Sequence, residues 1–294
     1  MFLPRKILEK RLLRMLAEDV GQGDVTTGIL VPPNTNAKAE IVAKDSGVIA
    51  GIEEARTLLE CLGLEVEALV EDGKEVKARY VLMRVSGDAR TMLSAERTIL
   101  NMLSRMSGIA TATRKLTEKL QRAKLKTRIA CTRKSAPGLL YFDKKAVLIG
   151  GGDTHRLHLD DMILIKDNHI AVVGGVQKAV KAAKERASLS KKIEVEVTRT
   201  QDVLVAAKAG ADVIMLDNFT PEQVREACNL LKKSNLYGRV LLEASGGITA
   251  DNVLDFANSG VDLVSLGEIT HSVKALNINL EITKVGKQLN HQRL

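Results

Sequence analysis

The chain has 294 residues, of which 45% are hydrophobic and 27% charged, and its formal net charge is +8 at pH 7. This length can form one large α/β domain or a small domain joined to a larger one, and the composition argues against a fibrous, disordered or membrane-embedded protein. Three cysteines far apart in the chain, Cys61, Cys131 and Cys228, argue against a disulfide framework and a CxxC zinc site.

The basic charge favours a polyanionic partner, either a nucleic acid or a small molecule. Only 2% of the residues are aromatic, so a stacking surface for single strands is lacking, and no nucleic-acid-binding motif is present. We therefore expect a basic pocket for a small polyanion and no nucleic-acid partner.

The N-terminal stretch MFLPRKILEKRLLRML is amphipathic and basic, without the apolar core of a signal peptide. No run of about 18 apolar residues occurs that would suit a membrane span. We expect a first helix here, and a cytoplasmic protein without a membrane partner.

The first hundred residues predict a mixed α/β unit. Residues 37–51 and 71–87 alternate apolar with polar side chains and end on glycine, as antiparallel strands do. Residues 53–62 and 89–109 have apolar side chains three and four apart, which indicates helices.

From about residue 127 the pattern changes to short apolar runs that alternate with helical segments. The predicted strands are 128–132, 162–165, 193–197, 212–216, 240–244 and 263–266, and the predicted helices between them are 175–187, 200–209, 221–232 and 249–259. Such alternation implies right-handed βαβ units. A (β/α) barrel is the favoured fold, with an open doubly wound sheet as the alternative.

Polar residues follow these strands one after another. They are Arg133 and Lys134, then Lys166, Glu196 and Asp217, then Ser245 and Gly246, and finally Gly267. The carboxyl ends of parallel strands form the catalytic face of such folds. We therefore predict the functional site on that face.

Two features of that face suggest particular ligands. The glycine turns after Ser245 and Leu266 suit a phosphate group, although a purely structural turn is the alternative. The carboxylates of Glu196 and Asp217 can hold Mg²⁺, bind ribose hydroxyls or stabilise a developing positive charge. The alternative for them is a helix cap or a lysine partner.

Residues 150–170, GGGDTHRLHLDDMILIKDNHI, combine three histidines with an arginine and a lysine. A metal site needs converging ligands, and Arg156 beside His155 would repel a cation. We favour an anion pocket, in which Arg133, Lys134, His155, Arg156 and Lys166 donate to carboxylates or phosphates. A solvated turn is the alternative, and it is the interpretation given to His158 and His169.

Seven blocks carry a resemblance to a known family. They are ERTILNMLSRMSGIAT (96–111), TRKSAPG (132–138), the 150–170 stretch, EVEV (194–197), IMLDNF (214–219), EASGGI (243–248) and SLGEITHS (265–272). In sequence and spacing they closely resemble the quinolinate phosphoribosyltransferases, and the likeness begins at EDVGQGDVTT (18–27).

The resemblance implies an α/β fold with two domains and a dimer whose sites are completed across subunits. The N-terminal α/β sandwich domain would cover 1–110, with the tail from about 275 to 294 able to pack on it. The C-terminal α/β barrel of about seven strands would cover 111–274. The seventh strand is expected at 146–149 or near the segment that closes the barrel.

The reaction implied is transfer of a phosphoribosyl group from phosphoribosyl pyrophosphate to quinolinate, with decarboxylation, to give nicotinate mononucleotide. Residue by residue, the resemblance assigns Arg133, His155 and Arg156 to the quinolinate carboxylates, and Lys134 and Lys166 to both substrates. It assigns Glu196 and Asp217 to ribose and Mg²⁺, and Arg97 to the neighbouring subunit's site. The residues it assigns to the 5-phosphate are Ser245, Gly246, Gly267 and His271.

The chain departs from the family pattern at Cys131, where many members have aspartate, and at Ser135 and Ala136, where threonine is common. Other enzymes considered are nicotinate phosphoribosyltransferase, which uses a monocarboxylate, and a related pyrophosphorylase-like group associated with molybdate transport genes. A noncatalytic carrier module is the alternative from a different class.

Overall fold

A computed structural model describes residues 3–286 and divides them into two compact units. The first unit contains the residues up to Thr111 and those from Val273 onward, and the second contains Ala112–Ser272. The part of the predicted tail from 287 to 294 lies outside the described residues. No helix within 3–286 has both the length and the apolar character that crossing a bilayer requires.

The helices and strands follow one another as α1 (Arg5–Val20), α2 (Val25–Leu30), β1 (Asn36–Ala43), β2 (Gly47–Val48), α3 (Ile52–Cys61), β3 (Glu65–Ala68), β4 (Glu75–Val76), β5 (Tyr80–Asp88), α4 (Ala89–Arg122), β6 (Arg128–Cys131), α5 (Leu140–Ile149), β7 (Ile163–Ile165), α6 (Asp167–Val173), α7 (Val176–Arg186), β8 (Ile193–Val197), α8 (Thr200–Ala209), β9 (Val213–Asp217), α9 (Pro221–Lys233), β10 (Leu241–Ser245), α10 (Val253–Ala257), β11 (Leu263–Leu266), α11 (Glu268–His271) and β12 (Ile278–Val285).

The first unit is built on a four-stranded antiparallel sheet in the order β12, β1, β5, β3. Alternate residues of β1, namely Ala37, Ala39 and Ile41, are buried, which gives the sheet one apolar face. Helix α3 buries the apolar side chains of its own inner stripe, including Leu58 and Leu59. The strand β12, from near the end of the chain, pairs along β1 and completes this sheet.

Helix α4 is longer than the sequence pattern predicts, because it continues past Gly108 to Arg122. A Cβ at position 108 would lie 2.3 Å from the carbonyl oxygen of Lys274, so glycine is required for the returning chain to cross the helix closely. The glycine therefore marks a close crossing and not the end of the helix.

The second unit contains a parallel sheet of six strands in the order β6, β11, β10, β9, β8, β7. These are the six strands that the apolar runs predict, and together with the first unit they confirm a two-domain α/β fold. Asp153 forms a single parallel bridge with Ala130 on the free edge of β6, in the position of a seventh strand.

The expectation of a strand at 146–149 is wrong, because these residues form the last turn of α5. Ala146 and Val147 are buried whereas Leu148 is exposed, as on the surface of a packed helix. A run of four apolar residues cannot by itself distinguish a buried strand from the inner face of a helix.

The parallel sheet curves strongly. Side chains from next to β6 (His155), from β8 (Glu194) and from β10 (Glu243) place ligand atoms within 4.8 Å of one another, although β11 and β9 separate their strands in the sheet. Only a sheet rolled toward a barrel brings such residues together. The interior of this barrel-like sheet is where the candidate site lies.

Candidate functional site

Polar side chains fill the inside of the barrel-like sheet at two levels. Glu194 and Glu196 are two residues apart on β8 and so point to the same face, about 6.6 Å apart along the strand. Glu196 belongs to an upper level at the carboxyl ends of the strands, and Glu194 to a lower level deeper inside.

The centre of the upper level is an ion pair between consecutive strands. Lys166 follows β7, and its Nζ lies 2.9 Å from Oε2 of Glu196. The backbone N–H of Lys166 donates to Nδ1 of His169 over 2.9 Å. His169, interpreted from sequence as a solvated residue, thus helps to fix the start of α6 at Lys166.

Asp217, the last residue of β9, completes this ion cluster. Burial, and then the neighbouring Glu196 carboxylate, raise the pKa of Asp217, while Asn218, Lys166 and Lys134 act in the opposite direction. The side-chain amide nitrogen of Asn218, Nδ2, donates to Oδ2 of Asp217 over 2.8 Å. Two carboxylates that repel each other favour binding of a cation or a cationic group between them.

The loop after β10 is shaped by glycine. Gly246 has a φ of 92°, and a Cβ at that position would lie 2.2 Å from Oδ1 of Asn218. The backbone N–H of Asn218 donates to the carbonyl oxygen of Ser245 over 2.8 Å. Glycine therefore lets the loops after β9 and β10 approach each other closely, next to Asp217.

A second glycine, Gly267, follows β11 and brings two basic side chains together. A Cβ on Gly267 would lie 3.0 Å from the ring of His271 and 3.2 Å from Cδ of Lys134. The hydroxyl of Thr270 donates to the carbonyl oxygen of Lys134 over 2.7 Å. Lys134, Gly267 and His271 thus form one cluster at the carboxyl ends of β6 and β11, with small residues and basic groups that suit a phosphate.

The lower level is centred on His155. Its Nε2 lies 3.1 Å from Oε2 of both Glu194 and Glu243, and the two carboxylates are buried. Burial opposes protonation of the ring, but the two carboxylates beside Nε2, of which Glu243 accepts a hydrogen bond from it, outweigh burial and raise the pKa of His155 to about 10. Burial also raises the pKa of Glu194.

The other ring nitrogen of His155, Nδ1, accepts the backbone N–H of Arg156 over 2.8 Å. That contact needs an unprotonated Nδ1 and works against the raised pKa. Two buried carboxylates outweigh one neutral hydrogen bond, so we take the raised pKa as the net effect. In either protonation state Nε2 carries a hydrogen directed at the carboxylates.

His155, Glu194 and Glu243 also have the composition of a metal site. A metal would have to replace the hydrogen on Nε2, and the guanidinium of Arg156 is close enough to Glu194 to interact with it electrostatically. The geometry therefore favours a shared proton and not a metal ion in this cluster.

The structure does not bring all five predicted donors to one edge. Arg133, Lys134 and Lys166 are exposed at the carboxyl ends, but Arg156 is buried and the side chain of His155 is only 9% exposed. The latter two line a cavity of about 400 Å³ together with residues from the amino ends of the strands, among them Arg128, Lys192, Val213, Leu241 and Leu263.

The backbone of His155 explains this deeper position. Its φ of 51° lies in the left-handed region, and the chain turns there, just after the bridge at Asp153. Arg156 then donates to the carbonyl oxygen of Met162 at the start of β7, over 3.4 Å. Arg133 is nevertheless close enough to lower the pKa of Arg156, after the larger effect of burial. The two levels are thus electrostatically connected.

Of the remaining predicted residues, Arg97 is an exposed residue of α4 in the first unit. Cys131 is buried, and burial raises its pKa, with Lys144 as a neighbour. The sequence interpretation missed Glu194 and Glu243. A signal for both existed, because each lies two residues before a predicted site residue on the same strand and so shares its inward face.

Comparison with known proteins identifies relatives over almost the entire chain. A sequence model described as "Quinolinate phosphoribosyl transferase, N-terminal domain" matches residues 24–107, and the one for the C-terminal domain of the same family matches residues 109–281. A probable carboxylating nicotinate-nucleotide pyrophosphorylase of Methanocaldococcus jannaschii is 44% identical, over 94% of this chain and 97% of that protein.

The human carboxylating nicotinate-nucleotide pyrophosphorylase is 37% identical, over 84% of this chain and 82% of its own. Among solved structures, the nicotinate-nucleotide pyrophosphorylase from Francisella tularensis superposes with a TM-score of 0.87 at 35% identity, covering 96% of this chain and 98% of that one.

Proposed function

This chain belongs to the quinolinate phosphoribosyltransferase family, and from that premise we propose how its residues carry out the reaction. The enzyme is a phosphoribosyltransferase that transfers the phosphoribosyl group of phosphoribosyl pyrophosphate to quinolinate. The products are nicotinate mononucleotide, pyrophosphate and carbon dioxide. Nicotinate phosphoribosyltransferase and the molybdate-associated group are not favoured, because the relatives are carboxylating pyrophosphorylases.

The observation that carries the mechanism is the ion cluster of Lys166, Glu196 and Asp217 beside the glycine loops. Transfer of a ribosyl group passes through a carbon with positive character, and preorganised carboxylates stabilise such charge. Glu196 lies in an ion pair with Lys166, and Asp217 is partly buried next to it. We assign both carboxylates to the ribose and its reacting carbon.

The donor is proposed to lie across the glycine loops. Its 5-phosphate would be held by Ser245, Gly246 and Gly267, with His271 close by. Lys134, adjacent to Gly267 and within electrostatic range of Asp217, would contact the pyrophosphate. This places the bond that breaks next to the carboxylates.

Quinolinate is proposed to lie between the two levels of polar residues. Arg133 and Lys166 would contact it from the carboxyl ends of the strands, and Arg156 from the lower level. His155 would contact it in exchange for one of its present carboxylate partners. Quinolinate carries two carboxylates, and forked guanidinium donors suit carboxylates. The depth of the lower level thereby becomes part of substrate recognition.

The pyridine nitrogen is itself the nucleophile, so no covalent intermediate with the enzyme is required. The bond from the anomeric carbon to the pyrophosphate oxygen breaks as the bond from nitrogen to carbon forms. The electron pair of the bond to the 2-carboxylate then stays at carbon 2, where the adjacent positively charged nitrogen stabilises it, and the carboxylate leaves as carbon dioxide. A proton from solvent then takes its place at carbon 2. The protein contributes orientation and charge stabilisation.

Glu196 and Asp217 are also the residues proposed to hold Mg²⁺, directly or through water. The donor set fits, because both ligands are carboxylates, which Mg²⁺ prefers, and the Glu196 carboxylate raises the pKa of Asp217. When bound, the ion would neutralise charge on the pyrophosphate.

The assembly and location complete the proposal. We place the enzyme in the cytoplasm as a homodimer, with Arg97 donated to the partner's site and no nucleic acid or membrane as a partner. The domain limits proposed are 1–110, with the C-terminal tail, and 111–274.

The test is to incubate the purified protein with phosphoribosyl pyrophosphate, Mg²⁺ and quinolinate labelled in the 2-carboxylate. Pyrophosphate and labelled carbon dioxide should appear in equal amounts. Pyrophosphate release with nicotinate, and none with quinolinate, would contradict the assignment. Omitting Mg²⁺ and adding a chelator tests the metal separately.

A further inference from the structure

We propose that two adjacent buried residues of α5, Asp143 and Lys144, are positioning residues that set the spacing of Arg133 and Arg156. The inference rests on the proposed function, because it assigns to these arginines the two carboxylates of quinolinate. Both act through the chain segments that carry the arginines.

Lys144 is fully buried, yet its side chain ends in an ammonium group. Its Nζ donates to the carbonyl oxygen of Arg156 over 3.1 Å and also to that of Thr154. Burial lowers the pKa of Lys144, which shows how unfavourable this environment is for the charge. Burying this ammonium group costs free energy that an apolar side chain at the same position of α5 would not cost. Its hydrogen bonds to two backbone carbonyls hold one particular segment of the chain.

That segment is the turn at His155. The two carbonyls that Lys144 binds are those immediately before and after His155, whose φ of 51° is unfavourable for a residue with a side chain. On the other side, the N–H of His155 donates to Oδ1 of Asp153 over 2.8 Å. Lys144 thus supplies contacts that keep the turn in its strained conformation and Arg156 in its place.

Asp143 acts on the other arginine segment. It is fully buried and accepts a hydrogen bond from the hydroxyl of Ser135, two residues after Arg133. Because Asp143 and Lys144 are consecutive in one helix, the loop after β6 and the turn at His155 are attached to the same rigid element. Their separation is then set by α5.

The cations held in this way repel one another. Arg133 contributes to lowering the pKa of both Lys144 and Arg156. This repulsion favours a wider separation of the two arginines when no anion lies between them. A dianion such as quinolinate relieves the repulsion between the arginines. The restraint therefore prepares the pocket for two carboxylates, and binding to this pocket costs less free energy than binding to a flexible pocket.

The decisive variant is Lys144→Met, which keeps an unbranched side chain of similar length and removes the N–H donors. The matched control is Lys181→Met, the same change at an exposed position of α7. Binding of each substrate to the wild type and both variants is measured by titration calorimetry, with Tm recorded for each protein.

We expect Lys144→Met to weaken quinolinate binding by about tenfold or more, because a displaced binding group costs far more than one lost contact. Its affinity for phosphoribosyl pyrophosphate should change by less than about twofold, the scatter of a neutral surface substitution. Lys181→Met should leave both affinities unchanged. Equal losses for the two substrates, or a lower Tm with unchanged quinolinate affinity, would overturn the inference.

A second variant keeps the inference testable if Lys144→Met does not fold. Ser135→Ala removes the hydroxyl that donates a hydrogen bond to Asp143 and leaves the buried side chains of α5 unchanged. It should also weaken quinolinate binding selectively, and unchanged binding would count against the role of Asp143. Failure of the wild type to bind quinolinate would instead refute the proposed function.

Discussion

Glu196 and Asp217 lie close enough for one carboxylate to influence the ionisation of the other. Burial and the charge of Glu196 raise the pKa of Asp217, so Asp217 takes up a proton at a higher pH than an isolated aspartate would. A protonated Asp217 cannot stabilise positive charge on ribose. The acidic limb of the pH profile should therefore report Asp217.

We predict that Glu196→Gln moves that acidic limb to lower pH, because it removes the repelling carboxylate and nearly preserves the shape of the side chain. The rate itself should fall by about a hundredfold or more, since one preorganised electrostatic contact to the transition state is lost. The measurement is kcat/KM for phosphoribosyl pyrophosphate between pH 4 and pH 8. An acidic limb that stays in place or moves upward would show that Asp217 does not control it.

The second prediction at this scale concerns His155 and stability. Its pKa is raised from 6.5 to about 10, so the folded protein binds a proton that the unfolded chain releases above pH 6.5. The stabilisation is fully present below pH 6.5 and is lost as the pH rises toward 10. We expect it to be on the order of 5 kcal/mol.

The check is urea unfolding of the wild type and of His155→Asn from pH 6 to pH 10, with the exposed His158→Asn as control. The difference in unfolding free energy between wild type and His155→Asn should shrink as the pH rises. A constant difference would mean that the ring stays neutral and that the Arg156 N–H contact decides its state.

Single residues also show what sequence alone can and cannot predict. The positions of Lys166 and Asp217 at strand ends, and of Glu196 near the end of its strand, can be predicted from sequence because the apolar runs show where the strands end. The depth of His155 and Arg156 cannot be predicted in this way, because it depends on the left-handed backbone conformation of a single residue, His155. Lys144 gave no signal, since a lysine on a helix is usually solvated.

At the scale of elements, the strands were predicted well because each is a short apolar run with polar ends. All six strands of the second unit lie within one residue of the predicted bounds at their starts. Elements whose apolar pattern is interrupted by charged residues or by glycine were missed or given the wrong bounds. Helix α5 contains buried Asp143 and Lys144, which interrupt its apolar face, and the glycine inside α4 resembled a terminator.

The loop between β10 and α10 yields a prediction of its own. Gly246→Ala would place a methyl group 2.2 Å from Asn218 Oδ1 and push apart the loops that carry Asp217 and Ser245. We expect the KM for phosphoribosyl pyrophosphate to rise by about tenfold or more, because the phosphate groove is displaced. The dissociation constant of quinolinate should change little.

Gly238→Ala is the matched control for this substitution. Gly238 also has a positive φ, 80°, but a Cβ there would meet no atom within 4 Å. Both variants thus incur backbone strain of about 1 kcal/mol, whereas only Gly246→Ala adds a clash. If the two variants had the same KM, strain alone would account for the result and the phosphate assignment of Gly246 would be wrong.

At the scale of the whole molecule, the proposed homodimer can be tested by complementation. Arg97→Ala and Lys134→Ala should each reduce activity by about a hundredfold or more, because each removes a substrate cation. If Arg97 serves the partner's site, a mixed dimer keeps one site with both residues intact. Mixing the variants under exchange conditions should then restore about a quarter of wild-type activity, for random pairing of equal amounts.

The control for the mixing experiment is a double variant, Arg97→Ala with Lys134→Ala, mixed with wild type. Mixed dimers of that kind contain one substitution at each site, whereas those of the first mixture contain both substitutions at one site and none at the other. If the sites are shared, exchange should lower the activity of this control from about a half to about a quarter of wild type, because only the wild-type homodimers keep intact sites. No recovery in the first mixture, or control activity that stays at about a half, with exchange verified by mass, contradicts donation of Arg97 across the interface.

The pairing of β12 with β1 has a consequence for the order in which the protein can fold. The register joins Ala43 to Ile278, so the sheet of the first unit lacks an edge strand until almost the entire chain has left the ribosome. At about 5–20 residues per second, synthesis of the intervening residues takes on the order of 10–50 s. During that interval nascent β1 presents an unpaired edge, so chaperone occupancy should be highest on the first unit of stalled chains that end before residue 278.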